Sequence, residues 1–426
     1  MKCLPATKIP QAQGNILHDW HAEVLAIRAF NRFVLDECKT LAQGGTSEFL
    51  RRRAMDEPSS KGTEERADEP WNGQPFTWKE DIVLHMYCSE APCGDASMEL
   101  TMASQEDATP WEIPPETKTE PLSNAITTTI TITTTPIPQE TLPGRAYFSH
   151  LGVVRRKPAR PDAPPTLSKS CSDKLAQHQA TSLLSSTTSL LVAPEHVYLL
   201  KLIMPASRHD ASACQRAFSA AGRMKSAAAR SGTSFAGGYT FRPFVVETTT
   251  LEFRFSQRSV EALVFGNASN ANCNAAAATA SNNEKQDAKK SAAAKGVAPS
   301  NIAAAWTASG LEETTLGGVL QGRKQSAADA RGASFASRRK MWAVAVEIAE
   351  LLLQGRGLEK EEMVSEGTTS WYPVAVERIW KTLSAGTYGE VKTSGLLESR
   401  RRAKEEVRVE ALKGWVRNIG DESFGL

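Results

Sequence analysis

The stretch HDWHAEVLAIRAFNRFVLDEC, residues 18–38, decides how the rest of the chain is read. From Glu23 onward, Val24, Ile27, Ala29, Phe30, Phe33 and Val34 recur at three- and four-residue spacings. That periodicity predicts an amphipathic helix opened by the His21-Ala22-Glu23 turn. Two histidines and a glutamate within six positions also raise a chemical question. His-x-Glu is an ordinary polar helix start unless cysteines elsewhere complete a metal site around it.

Working outward, DIVLHMY (81–87) is a short apolar run suited to a buried strand. It leads into CSEAPCGDASMELTM (88–102), where Pro92-Cys93-Gly94 turns into a second helix. A basic, proline-rich loop, LGVVRRKPARPDAPPTLSK (151–169), then leads to a third turn, SCSDKLA (170–176), which enters a helix. SLLVAPEHVYLLKLIM (189–204) and YTFRPFVVETTTLEFRF (239–255) supply strands. The C-terminal third reads as helical, through MWAVAVEIAELLLQG (341–355), VAVERIWKTLSAG (374–386) and a charged helix around 395–413. The expectation is a single α/β domain over residues 1–426, with low-complexity insertions at about 40–74, 103–145 and 267–300. The second insertion carries the β-prone run ITTTITITTTPIP (126–138).

The bulk numbers narrow the classes. A chain of 426 residues with 41% hydrophobic content can bury a sizeable core. Its net charge of +2 imposes no global field, although basic residues cluster at RRKPAR (155–160), SRRK (337–340) and SRRRAK (399–404). The N-terminus lacks the apolar segment of a secretory signal, and no apolar run reaches membrane-spanning length. The seven cysteines form no close framework of pairs. A reducing compartment, cytoplasm or nucleus rather than secretion, with some cysteines as metal ligands is the reading that follows.

Zinc-dependent hydrolysis needs about three protein ligands and one open position. Zinc deaminases use one His or Cys and two further Cys, with a Glu two positions after the first ligand moving protons without touching the metal. His21 with Glu23 fits the first half, and Pro92-Cys93 fits the start of the second. The Pro-Cys-x-x-Cys spacing then stops, because position 96 is Ala. The third ligand must come from Cys171, Cys88, Cys3, Cys38, Cys214 or Cys273. Local physics favours Cys171, in a polar turn at a helix start where the dipole supports thiolate. Cys88 ends an apolar strand and reads as core, and Cys273 falls in the third insertion.

HAE, APCGDASM and SCSDKLA, in that order, resemble the catalytic domain shared by adenosine deaminases acting on RNA and the eukaryotic tRNA-specific adenosine deaminases. LGVVRRKPARPDAPPTLSKSCSDK, GVLQGRKQ (318–325), GASFASRRKMW (332–342) and KGWVRN (413–418) point to the fungal-type tRNA branch, which makes inosine beside the anticodon (position 37) of alanine tRNA. The resemblance implies a cytidine-deaminase-like mixed sheet flanked by helices, with a helical C-terminal portion. It implies zinc on His21, Cys93 and Cys171, with Glu23 as the catalytic acid–base. It also implies buried inositol hexakisphosphate, with Arg28, Lys174, Lys324, Tyr388, Lys392 and Trp415 at matching positions. Arg155, Lys157 and Arg160 stand where the RNA would be contacted. The expected partner is tRNA, alanine tRNA above others, with no membrane and no obligate protein partner. The family's N-terminal helix and first strand would lie upstream of Cys3, since Met1 falls at the end of the family's Thr-Gly-Thr. The alternative is therefore a catalytically inactive, N-terminally truncated RNA-binding relative of the same fold.

Overall fold

Helix α1 (Ala22–Ala42) forms where the apolar spacing places it, and it buries Leu25, Ile27, Phe33, Val34, Leu35, Cys38 and Leu41 along one side. The computed structural model describes residues 2–54, 57, 70–105, 142–143, 148–157, 164–229, 235–264, 297–363 and 371–426. After α1 come β1 (Leu50–Arg52), β2 (Phe76–Trp78), β3 (Leu84–Tyr87) and the short helix α2 (Met98–Ala103). β4 (Leu142–Pro143), β5 (Arg155–Arg156), α3 (Cys171–Thr181), α4 (Thr188–Leu191), β6 (Val192–Ala193) and β7 (Leu199–Pro205) follow. Then come α5 (Ala211–Phe218), α6 (Lys225–Ala229), β8 (Val245–Thr249), β9 (Ile302–Trp306), β10 (Glu312–Leu316) and β11 (Val319–Leu320). The chain ends in α7 (Arg338–Met363), α8 (Trp371–Leu383), α9 (Tyr388–Thr393) and α10 (Glu398–Glu410).

The expected mixed α/β architecture with a helical C-terminal portion is present, and its strands form several small sheets. β3, β7 and β8 run parallel in that spatial order, as strands separated by helices must. β2 pairs antiparallel with β1 and parallel with β6. β9, β10 and β11 form an antiparallel meander. The main core joins Phe76 and Trp78 of the second sheet to Val34 and Leu35 of α1, Leu175 of α3 and Trp342 of α7. Each such side chain removed from water contributes roughly 1.5–3 kcal/mol, so this cluster anchors everything laid on it.

A second cluster holds Leu4, Ile9, Leu17, Trp20 and Phe335 against Leu25 and Ala29 of α1. Leu4 N donates to His18 O and Trp20 N to Lys2 O, so the first residues lie antiparallel to those just before α1. This pairing sets Cys3 beside Asp19 and His21.

Two expectations change. The first insertion is ordered at its start, because α1 runs to Ala42 and β1 lies within it; Leu50 and Phe76 are buried and pay for that pairing. The stretch 239–255 is a strand only over Val245–Thr249, and Leu251, Phe253 and Phe255 are exposed beyond it. The run 126–138, most of the second and third insertions, and Cys273 lie outside the described residues. Among the described residues no helix is long and apolar enough to cross a membrane.

Candidate metal centre and cationic cavity

The N-terminus of α3 and the Pro92-Cys93-Gly94 turn are stitched together. Ser172 N donates to Cys93 O at 3.0 Å, Ser172 Oγ donates to Pro92 O at 2.9 Å, and Ala96 N donates to Ser172 Oγ at 3.1 Å. Gly94 is required here. Its φ is +106°, and a Cβ at that position would stand 2.2 Å from Ser170 Oγ. The close approach puts Cys171 N 3.4 Å from Cys93 Sγ. Cys171 is fully buried and Cys93 partly exposed.

These thiols share a proton unequally. A hydrogen bond from Cys171, aided by the Lys157 ammonium, holds Cys93 well below the usual thiol range. Burial, then the negative charge on Cys93, pushes Cys171 up. Glu23, on the first turn of α1, feels the negative charge on Cys93, and Cys171 and Lys157 act on it in the opposite sense. Burial, then Cys93, raises its carboxyl above the ordinary carboxylate range. His21 acts electrostatically on Cys93 from the same side. Cys93 and Cys171 are adjacent, and Glu23 and His21 act on them electrostatically. Among the described residues the group whose donor atoms all lie within 4.8 Å of one another is Cys3, Asp19 and His21.

His21 Nδ1 donates to Asp19 Oδ1 at 2.8 Å, leaving Nε2 with the lone pair a metal requires. Asp19 Oδ2 accepts from Lys157 Nζ at 2.9 Å and Ser168 Oγ at 2.6 Å, and also from Lys174 Nζ. Burial alone would raise Asp19, but the two ammoniums hold its carboxyl well below the normal range. A cation held by Cys3, Asp19 and His21 would face both ammoniums, and the Cys3 thiol, pushed up to about 12 by burial and then Asp19, stays protonated.

Lys157 corrects one expectation. It is 5% exposed and donates to Asp19 and to Cys171 Sγ at 3.2 Å, so it faces the site and not RNA phosphate. Arg155 is 1% exposed and donates to His150 O; burial removes it likewise. Arg160 lies outside the described residues.

Beneath the site a cavity of about 960 Å³ is lined by Arg28, Lys174, Tyr388, Lys392 and Trp415, five of the six positions expected around a polyphosphate. Lys324 is corrected: it is exposed on the loop before residues 325–327 and does not line this space. The spacing of GRKQ matched, but the β10–β11 turn carries it outward. Sequence reading missed Arg338, Arg400, Lys404 and Arg408, which also line the cavity. The signal for Arg338, Arg400 and Lys404 was in SRRK and SRRRAK, taken there as basic runs, and Arg408 lies further along the charged helix. Positions 400, 404 and 408 recur every fourth residue and so share one face of α10.

The cavity is short of negative charge. Burial, then Arg400 and Arg408, drives the Lys404 ammonium well below the usual range. Burial and Arg338 lower Arg28 to about 10, and the same two causes lower His18 to about 4. Trp415 sits between two cations, Lys169 Nζ at 5.3 Å and the Arg408 guanidinium at 4.8 Å from its ring. So many recessed cations suppressing one another fit a polyanion.

Comparison with known proteins agrees with this geometry. The model of the adenosine-deaminase (editase) domain matches residues 1–419. The tRNA-specific adenosine deaminase 1 of Schizosaccharomyces pombe is 36% identical over 258 residues, 60% of this chain and 56% of that protein. Its Saccharomyces cerevisiae namesake is 30% identical over 205 residues, 48% of this chain and 44% of the relative. The chain thus spans about half the length of the curated relatives it matches.

Proposed function

The chain belongs to the adenosine-deaminase (editase) domain family, and on that premise we propose that it hydrolytically deaminates adenosine to inosine in tRNA. The observation that carries this reading is Glu23, a carboxyl raised by burial and set against the Cys93–Cys171 thiol pair. A carboxyl with raised proton affinity is suited to accept and return a proton, as a two-way acid–base must.

His21, Cys93 and Cys171 would hold zinc. When bound, the metal supplies a Lewis acid that makes water a competent nucleophile at neutral pH. Glu23 would be the proton carrier between the attacking water, N1 of the adenine and the departing amine, so that adenosine and water give inosine and ammonia. Asp19 keeps the Nδ1 proton on His21, and Lys157 steadies the Cys171 sulfur. His21, Glu23 and Cys93 are partly exposed, leaving a way in for a base flipped out of its stack. An anticodon loop, already partly single-stranded, lowers the cost of that flip.

The finer assignment is the adenosine beside the anticodon, position 37, of alanine tRNA. The names of the relatives support tRNA; the finer assignment follows the sequence resemblance carried by LGVVRRKPARPDAPPTLSKSCSDK, GVLQGRKQ, GASFASRRKMW and KGWVRN. Inositol hexakisphosphate is the polyanion proposed for the cavity, held by Arg28, Lys174, Tyr388, Lys392 and Trp415, together with Arg338, Arg400, Lys404 and Arg408.

The test is inosine formation in an alanine tRNA transcript, with Glu23→Ala as control. Wild type should convert the target adenosine, and the variant should lose about 10²–10⁴-fold in rate while keeping its zinc. Zinc loss in the variant, or retained turnover, would contradict the role of Glu23. tRNA binding without inosine in the wild type would favour the inactive relative.

A further inference from the structure

Lys324, displaced from the cavity, belongs to a second cationic surface. It stands on an exposed loop with Arg323 and Arg331, and the turn Ala6–Gln11 adds Lys8 beside it. Contacts make this one surface: Lys8 Nζ donates to Gln325 Oε1 at 3.0 Å, and Gly332 lies against the side chain of Arg323. Asn15 Nδ2 donates to Ala328 O at 2.7 Å, tying the loop to the N-terminal segment. The nearest carboxylate along the loop, Asp329, is engaged by Gly332 N at 2.6 Å. None of the four cations has an acidic partner among the described residues. On a chain of net charge +2, four uncompensated cations in one place are a local segregation of charge.

The surface is also fixed relative to the candidate site. Leu17 N donates to Gly318 O, and Gly318 packs against Trp20, next to His21 in sequence. Ala6 N donates to Pro165 O, on the loop that carries Lys157. An anion held by these cations would have a defined position with respect to a base entering the site.

We infer that Lys8, Arg323, Lys324 and Arg331 form a docking surface for the phosphate backbone of the RNA substrate, apart from the nucleotide that enters the site. The inference rests on the proposed action on tRNA. Solvent-exposed Lys and Arg neutralise phosphates by releasing condensed counterions, which contributes affinity and register without reading sequence. The same unpaired charges also steer a polyanion during encounter. An acidic protein would be attracted too, but the hydrogen-bonded link to the segment that carries His21, together with the proposed action on tRNA, favours RNA.

The experiment measures binding of labelled alanine tRNA by fluorescence anisotropy across a salt series. It compares wild type, the triple variant Arg323→Ala/Lys324→Ala/Arg331→Ala, and the charge-keeping variant Arg323→Lys/Arg331→Lys. Each lost phosphate contact should remove about 0.9 from the slope of log affinity against log salt, so the triple variant should lose about 2–3. Its affinity near physiological salt should fall by at least about tenfold, with the charge-keeping variant close to wild type. Zinc content and polyphosphate affinity, unchanged in the triple variant, establish that it is folded. An unchanged slope in such a folded variant would overturn the inference and leave the deaminase reading standing. Inosine is assayed on the same preparations. A lowered slope with no inosine from wild type would sink the deaminase reading and leave the docking surface standing.

Discussion

Filling the cavity should draw a proton onto Lys404. α10 presents Arg400, Lys404 and Arg408 at four-residue intervals, and Lys392 and Arg338 face the same ammonium. Burial first, then these like charges, holds Lys404 well below its ordinary value in the empty cavity. Phosphate oxygens reverse the local potential, so the proton affinity of Lys404 rises on binding. The sign follows from linkage. Affinity is greatest below the free-state pKa and falls by up to about tenfold per pH unit as pH climbs from the free-state to the bound-state value. The assay is titration calorimetry with inositol hexakisphosphate in two buffers of different ionisation enthalpy, on wild type and Lys404→Met. Proton exchange by the ligand's own phosphates is common to both proteins, so their difference isolates Lys404 and should approach one proton per site. Losing a charge-assisted contact of about 1.5–3 kcal/mol should weaken binding roughly 10- to 150-fold. The free variant should be more stable than wild type, because an unfavourably placed amine is gone. Equal proton uptake by the two proteins would refute the reasoning.

Three further outcomes follow from the same geometry. Asp19→Asn would leave the buried Lys157 beside a neutral amide and should destabilise the fold by about 3–5 kcal/mol in denaturant titration. Its zinc affinity should fall about 10- to 100-fold in chelator competition, since Asp19 fixes the proton on His21; unchanged values would remove Asp19 from the design. Gly94→Ala should cost about 1–3 kcal/mol or more, from the positive φ and the clash with Ser170, and should reduce bound zinc. Gly44→Ala, at φ +83° with nothing within 4 Å, provides a control that carries only the backbone cost and keeps its zinc. Lys174→Met should weaken polyphosphate binding and also lower turnover, because one ammonium serves the cavity and Asp19; turnover unaffected by the change would separate the two.

What was legible in the sequence was whatever local spacing controls. α1 followed from Val24 to Val34, and the start of α3 followed from the polar turn ahead of Cys171. Cys88 reads as core and is 7% exposed. The adjacency of Cys93 and Cys171 was indicated by motif order alone, since nothing in the spacing of distant segments dictates that they touch. The errors share one cause. A cation's role depends on which side of the chain its stem leaves, and burial overrides composition. Arg155 and Lys157 look like a nucleic-acid loop yet turn inward, because Asp19 and Cys171 offer Lys157 a charged partner inside. Arg400, Lys404 and Arg408 look like a solvated run yet line the cavity, because Ala403 and Val407 on the same helix are core residues that fix its rotation. Lys324 lies one turn beyond a β-hairpin, where a shift of register changes inside for outside.

Asp19 explains why these inward-turning cations belong to one device. Its Oδ1 holds His21, and its Oδ2 accepts from Lys157, which reaches Cys171, and from Lys174, which lines the cavity. A single carboxylate thus joins the approach to α1 to the basic loop and α3, which lie more than a hundred residues further along the chain. Buried charge of this kind is tolerated only when every partner is present. A polyanion in the cavity would compete with Asp19 for Lys174, while an empty cavity leaves Lys174 to it alone. Among the cavity-lining residues, Lys174, Ser168 and Asp19 itself belong to that network, so the cavity reaches the site through the Lys174 ammonium and the Ser168 hydroxyl. The candidate metal site and the cationic cavity thus share one carboxylate and one ammonium.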